Sequence, residues 1–285
     1  MTTTRRQMLT RTSQAAAALA LSSELAPLFA APEKRRFKIG ACEWSLGKSD
    51  PSCMEVAKKI GLDGVQVNMG SAANKMWLRQ PEMQKRYLDA AKQHGVEIGG
   101  LALGEMNNVA LKSEPRAAVW LVDSIDVAVA LGAKIILVAQ FYKGDLKGDK
   151  EGTERTVEVL KEVAPRAERA GVILGIENYL SAEENLDIVS RVGSPAVLVY
   201  YDVGNSTDKG YDIYTEIRQL KGKICEFHFK DAGHLLGKGR IDFQKVRDAI
   251  DEIGYSGWIQ IEAAAPNGLL VDYPANLALL RGLFS

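Results

Sequence analysis

Eight times between residues 37 and 283 a short apolar, β-branched run gives way to a longer amphipathic stretch, and this alternation restricts the fold more than any other feature. The short runs, Phe37–Ser45, Gly64–Asn68, Val96–Leu103, Ala133–Gln140, Val172–Tyr179, Val197–Val203, Ile224–Phe229 and Trp258–Ala263, read as strands. The stretches between them read as helices with marked ends. Asp50-Pro51 suits an N-cap followed by proline in the first turn, with Gly61 closing that helix. Gly95, Gly132, Gly171, Gly193, Gly222 and Gly254 stand just past other helical runs, where a left-handed residue is wanted. Strands separated by crossover helices run parallel, and eight of them close most simply into a barrel. An open doubly wound sheet would call for a Gly-rich GxGxxG turn after the first strand, and none is there. The expected fold is therefore α/β, a single-domain (β/α)8 TIM barrel.

The first thirty residues stand outside this pattern. Arg5-Arg6 and then Met8-Leu9 precede an Ala-rich apolar run from Ala15 to Leu21, with a second from Leu25 to Ala31. A basic start, an apolar middle and small residues near Ala30 describe a signal peptide, and the paired arginines resemble the twin-arginine export signal. The runs are too short to span a bilayer, which needs about 20 apolar residues, and Glu24 interrupts them. Residues 1–30 are expected to be a cleaved signal, and residues 31–285 an exported, periplasmic catalytic domain without stable membrane insertion; an uncleaved apolar anchor is the alternative.

Lysine and arginine total 36 against 36 aspartates and glutamates, so no basic excess favours nucleic acid as a partner. Cys42, Cys53 and Cys225 are odd in number and widely spaced, which reads as three small buried residues. Nothing in the chain decides between a monomer and a homo-oligomer.

The chemistry gathers at four strand ends in the second half. Glu177, Asp202, His228 and Glu262 each close an apolar run, 25, 26 and 34 residues apart, about one strand–helix unit each time. In a barrel that phase brings all four to the C-terminal mouth. Three carboxylates and an imidazole in a partly dry cleft repel one another unless a cation joins them. Oxygen-rich donors with one nitrogen favour Mn²⁺, Mg²⁺ or Co²⁺, with Zn²⁺ left open. Glu226 shares the parity of His228 one layer deeper, as a buried acid paired with a base, and Glu43, Trp44, Gln66, Asn68, Glu105 and Gln140 end or follow the earlier strands and are candidates to line the pocket.

Glu177-Asn178, Tyr201-Asp202-Val203-Gly204-Asn205, His228-Phe229-Lys230-Asp231, Gly237-Lys238-Gly239 and Glu262 together resemble the sugar phosphate isomerase/epimerase family of xylose isomerase-like barrels. The resemblance covers roughly residues 37–283 and is more specific to the superfamily than to a substrate. It implies one divalent ion held by Glu177, Asp202, His228 and Glu262, with the two glutamates also moving protons. It further implies a substrate near Glu183, and Lys230, on the same strand face as His228, is placed to contact a substrate oxygen. Asn205 and His234 stand where ketose epimerases usually carry His and Arg, departures that touch the substrate side rather than the metal. With three histidines in the chain, the His-rich metal site of the nuclease relatives cannot be assembled. Gly237-Lys238-Gly239 reads as a tight turn, with a phosphate cradle as the alternative.

A keto oxygen beside a cation acidifies the neighbouring C–H, and a carboxylate on either face can take or return the proton through an enediolate. Three functions follow. The first is a metal-dependent isomerase or epimerase of keto-sugars. The second is a lyase or dehydratase of 3-keto sugars or 3-keto glycosides, and the third a barrel that binds sugar or metal without turnover.

Overall fold

The computed structural model describes residues 36–284, so the expectations for residues 1–30 and for a domain start at residue 31 lie outside the described residues. In chain order the elements are β1 (Phe37–Cys42), α1 (Cys53–Ile60), β2 (Gly64–Asn68), α2 (Pro81–His94), β3 (Glu97–Leu103), α3 (Pro115–Leu131), β4 (Ile135–Gln140) and α4 (Lys150–Ala170). They continue with β5 (Ile173–Asn178), α5 (Ala182–Val192), β6 (Val197–Asp202), α6 (Val203–Asp208), α7 (Ile213–Leu220), β7 (Ile224–Phe229), α8 (Phe243–Glu252), β8 (Gly257–Ile261) and α9 (Leu269–Leu283). The eight strands pair in sequence order and β8 closes on β1, every pairing parallel. The expected (β/α)8 barrel is what forms, with one additional short helix, α6, between β6 and β7. No helix among the described residues is long and apolar enough to cross a membrane.

Alternation along each strand sorts the side chains into two cores. Outward residues such as Ile39, Val65, Leu101, Ile136 and Leu174 pack against the helices in one continuous shell. Inward residues form a smaller cluster around Ala102, Leu137, Ala139, Phe141 and Tyr200. Burial on both faces explains why these strands read as nearly unbroken apolar runs. It also makes any buried polar strand residue conspicuous, among them Gln66 on β2, Gln140 on β4, Glu177 on β5, Asp202 on β6, Glu226 and His228 on β7 and Gln260 on β8.

Two expected helix ends are placed differently. The first helix starts at Cys53, because Asp50 accepts from the backbone of Ser52 at 2.8 Å and caps a turn ahead of the helix rather than the helix itself. At the seventh unit the positive φ falls on Lys221, at 43°, and Gly222 keeps an ordinary conformation. A 3₁₀ turn over Lys221–Lys223 intervenes there before β7, so the chain does not reverse through a glycine cap. The three cysteines are free and buried, as the sequence implied.

Glu43, just past β1, is 2% exposed and ties three elements together. It accepts from Tyr87 of α2 at 2.8 Å and from the Asn68 backbone at 3.0 Å. Burial pushes its carboxyl up to about 8 from an ordinary 4.5. The fold thus binds a proton that the unfolded chain releases, so this contribution is whole below about pH 4.5 and is lost as pH rises through about 8. Its size is about 5 kcal/mol at most. Glu43→Gln, which cannot ionise, is expected to flatten the fall of Tm between pH 5 and 9; parallel curves for the two proteins would refute this.

Candidate metal centre and mouth pocket

Each of the four strand-end groups is delivered by a different local device. Asp202 and His228 are register partners on β6 and β7, and a register shift between Val199 and Tyr200 sets them level. Asp202 is also the N-cap of α6: its Oδ1 accepts from the amides of Gly204 and Asn205, both at 2.8 Å. Only Oδ2 is left to face the site. Glu177 ends β5, 4% exposed. Glu262 lies one residue past β8, tied to β7 through its amide on the Phe229 carbonyl at 2.9 Å. Its Oε1 takes the indole N–H of Trp44 at 2.7 Å, which leaves Oε2 for the site.

These atoms converge. His228 Nδ1 lies 2.9 Å from Glu177 Oε1, 3.7 Å from Glu262 Oε2 and 3.9 Å from Asp202 Oδ2. One donor atom from each of the four residues falls within 4.8 Å of all the others. Two ligands of one ion with bonds of about 2.0–2.3 Å stand at most about 4.6 Å apart, so the cluster needs almost no adjustment to hold a single divalent cation. Lys230 Nζ is the cation that already meets it, 2.7 Å from Asp202 Oδ2 and 2.6 Å from Glu262 Oε2. Even so, Asp202 Oδ2 has no aligned hydrogen-bond donor. A buried carboxylate oxygen with charge beside it but no directed donor fits a metal ligand.

The electrostatics are lopsided. Burial raises Glu177 above the ordinary carboxylate range, and burial raises Asp202 likewise. Burial works in the same direction on Glu262, but His228 and Lys230 outweigh it and hold that carboxyl low. Burial opposes charge on Lys230, which Asp202 and Glu262 nevertheless keep firmly protonated. The two glutamates therefore differ in readiness to carry a proton.

Above the cluster a pocket of about 410 Å³ opens at the barrel mouth. Trp44, Asn68, Ser71, Glu105, Asn107, Phe141, Tyr142, Tyr179 and Asn205 line it, with Glu177, Lys230 and Glu262 at its base. Asn205 and Lys230 are thus brought to the pocket. Glu183 and His234 are not. Glu183 is exposed at the start of α5 and faces outer grooves beside Leu186 and Thr215. His234 is exposed in the loop after β7 and does not line the pocket. Of the earlier candidates, Trp44, Asn68 and Glu105 line the mouth, whereas Glu43, Gln66, Gln140 and Glu226 are buried and do not. The aromatic wall of Phe141, Tyr142 and Tyr179 was not singled out beforehand, although Tyr179 sits two residues beyond Glu177 and the other two follow β4 directly.

The Gly237-Lys238-Gly239 segment is a turn built around Asp231. That carboxylate accepts from the amides of Gly237 at 3.1 Å, Gly239 at 2.9 Å, Arg240 at 2.8 Å and Ile241 at 3.2 Å. Amides that could have cradled a phosphate are already committed to an anion of the chain.

Residues 54–283 match the family described as xylose isomerase-like TIM barrel. The chain belongs to that family. Among curated proteins it is 27% identical over 213 residues to a 2-epi-5-epi-valiolone 7-phosphate 2-epimerase from an Actinoplanes species, covering 71% of this chain and 78% of the relative. It is 24% identical over 229 residues to the L-ribulose-5-phosphate 3-epimerase of Escherichia coli K12, covering 73% and 80%. Among solved structures, a D-psicose 3-epimerase with D-tagatose from Clostridium cellulolyticum superposes with a TM-score of 0.74 at 20% identity, over 87% of this chain and 99% of the other. A 3-keto-D-glucoside 4-epimerase from E. coli gives 0.73 at 13% identity, over 86% and 99%. These structural likenesses establish the fold.

Proposed function

We infer that the chain is a divalent-metal-dependent epimerase or isomerase of unphosphorylated keto-sugars. The observation that carries this is the convergence of Glu177, Asp202, His228 and Glu262 within 4.8 Å at the base of an open, aromatic-walled pocket. The sugar epimerases among its relatives support the reaction class. Three carboxylates and one imidazole suit Mn²⁺, Mg²⁺ or Co²⁺, and we favour Mn²⁺.

When bound, the ion supplies stabilisation for negative charge developing on the keto oxygen. The residues of the chain do the rest. Glu177 on β5 and Glu262 beyond β8 are separated around the ring by β6 and β7, so they reach a sugar at the mouth from different sides. One takes the proton beside the carbonyl, giving the enediolate, and the other returns a proton to the opposite face. Trp44 fixes Glu262 through its Oε1, which keeps that carboxylate in place through the transfer. Trp44, Phe141 and Tyr179 offer flat apolar surface to the C–H faces of a sugar ring, and Asn68, Asn107 and Asn205 offer amides to its hydroxyls.

The pocket argues against a phosphate ester, although both curated relatives are named for phosphorylated substrates. Among the residues lining it, Lys230 is the one cation, against Glu105, Glu177 and Glu262, and it is already bound to two carboxylates. Apart from Lys230 and the ion at its base, the pocket lining offers a dianionic phosphate no cation. The test places residues 31–285 with Mn²⁺ in D₂O with paired ketoses and their phosphates and with 3-keto glycosides, and follows the proton beside the carbonyl by NMR. Exchange is expected with unphosphorylated compounds, at least about 10-fold faster than with the matching phosphates. Faster exchange with the phosphates would overturn the substrate class, and release of a leaving group would move the reaction to elimination. We further propose export of the chain by the twin-arginine-like segment, which sends the enzyme where free sugars and glycosides are met.

A further inference from the structure

Beneath the metal cluster lies a buried polar column that the reaction itself does not use. His228 Nε2, the ring nitrogen turned away from the carboxylates, lies 2.8 Å from Gln66 Oε1 on β2. Gln66 Nε2 in turn donates to the Tyr200 hydroxyl at 3.0 Å, and Tyr200 lies against Glu226. Cys42 Sγ is 3.4 Å from the same Gln66 oxygen. Gln66, His228, Glu226 and Cys42 are 0% exposed, so bulk water has no access to replace a missing partner.

We propose that Gln66 is a positioning residue that holds His228 in the one tautomer able to bind a cation through Nδ1, with Tyr200 fixing which way the Gln66 amide faces. The proposal rests on the metal-dependent reading above. Nδ1 is the nitrogen that meets Glu177, Asp202 and Glu262, so a cation there needs its lone pair free and the ring proton on Nε2. That proton requires an acceptor, and Gln66 Oε1 is in place. A glutamine amide turned over would present its NH₂ to Nε2 and favour the opposite, non-binding tautomer. Tyr200 opposes the turned form, because its oxygen accepts from the NH₂ end at 3.0 Å while Glu226 lies against it. Cys42 Sγ lies 3.4 Å from Gln66 Oε1 and 3.3 Å from His228 Nε2, so its thiol can meet either atom and does not decide between the two forms. Gln66 serves an imidazolium equally well, since loading the ion then removes only the Nδ1 proton and leaves the Gln66 side of the ring unchanged.

The experiment uses the full chain, Mn²⁺ titration by calorimetry, and ¹¹³Cd²⁺ as a diamagnetic probe with ¹⁵N-labelled histidine. In the unaltered protein ¹¹³Cd coupling is expected at His228 Nδ1, with a slowly exchanging proton on Nε2. Gln66→Leu should weaken Mn²⁺ binding by about 10–100-fold and speed exchange of the Nε2 proton. Gln66→Glu, which keeps an oxygen facing the ring, should restore both. Tyr200→Phe should speed Nε2 exchange and lower affinity less, and it carries the test if Gln66→Leu does not fold. Unchanged affinity and exchange in both Gln66→Leu and Tyr200→Phe, or ligation through Nε2, would overturn the proposal. Failure of the unaltered protein to take up Mn²⁺ would instead remove the metal-dependent reading, and this proposal with it. None of these readings depends on turnover, so a chain that binds metal but epimerises nothing still decides the role of Gln66.

Discussion

Glu177→Gln and Glu262→Gln are expected to separate the two halves of epimerisation rather than to weaken both alike. If each carboxylate serves one face of the sugar, then with one epimer as substrate one variant keeps solvent deuterium exchange while forming no product, and the other shows no exchange. With the opposite epimer as substrate the two variants should trade behaviour. The lost step should slow by about 10²–10⁴-fold, the usual effect of deleting a positioned acid or base. Glutamine keeps an oxygen that can still face the ion, so Mn²⁺ binding is measured alongside to separate lost proton transfer from a lost ligand. Equal loss of exchange in both variants with both epimers, metal retained, would sink the two-base mechanism. Persistent epimerisation in either variant would remove that residue from it.

Without an ion the two glutamates sit in different environments: burial raises Glu177, while His228 and Lys230 hold Glu262 low despite its burial. Trp44 matters here because its indole N–H occupies one oxygen of Glu262 and leaves the other facing the site.

The site was legible where barrel geometry governs and obscure where loops do. Asp202 and His228 could be paired from spacing because strand-end residues in successive β/α units share a phase, and they are register partners. The parity of β7 likewise placed Glu226 beneath His228, fully buried. Glu183 shows where spacing stops helping. Six residues past Glu177 the chain has already entered α5, whose capping box between Ser181 and Glu184 sets the helix start and leaves Glu183 on the outer surface. His234 fails for a related reason: Asp231 gathers four downstream amides into a compact loop, which leaves His234 exposed outside the pocket. Phe141, Tyr142 and Tyr179 are brought together at the mouth by loops that carry no periodic signal. Gln66 was visible as a polar residue within a strand, but its place below the ring depends on the barrel's tilt, which a single sequence does not record.

Lys230→Met is expected to move the ion-free and ion-loaded proteins in opposite directions. Oδ1 of Asp202 is spent on the cap of α6 and Oε1 of Glu262 on Trp44, so the oxygens left for an ion are Oδ2 and Oε2, the same two that Lys230 holds. Lysine and metal therefore compete for the same atoms. Without an ion, methionine leaves a crowd of buried carboxylates short of its main counter-charge, at a cost of about 3–5 kcal/mol. For a domain of this size that lowers Tm by roughly 6–15 °C. With Mn²⁺ the deficit should largely vanish, and affinity for the ion should rise by about 10-fold because no ammonium has to be displaced. Thermal melts with and without EDTA, together with calorimetric Mn²⁺ titration, read both signs. If Lys230 serves only to hold a substrate oxygen, Tm and Mn²⁺ affinity will stay where they are and KM alone will rise. In the competing arrangement the lysine keeps the empty centre folded and then, released by the ion, is free at the base of the pocket to meet the sugar. Retention of the ion-free Tm in Lys230→Met would rule out the first of those two duties and leave the second standing.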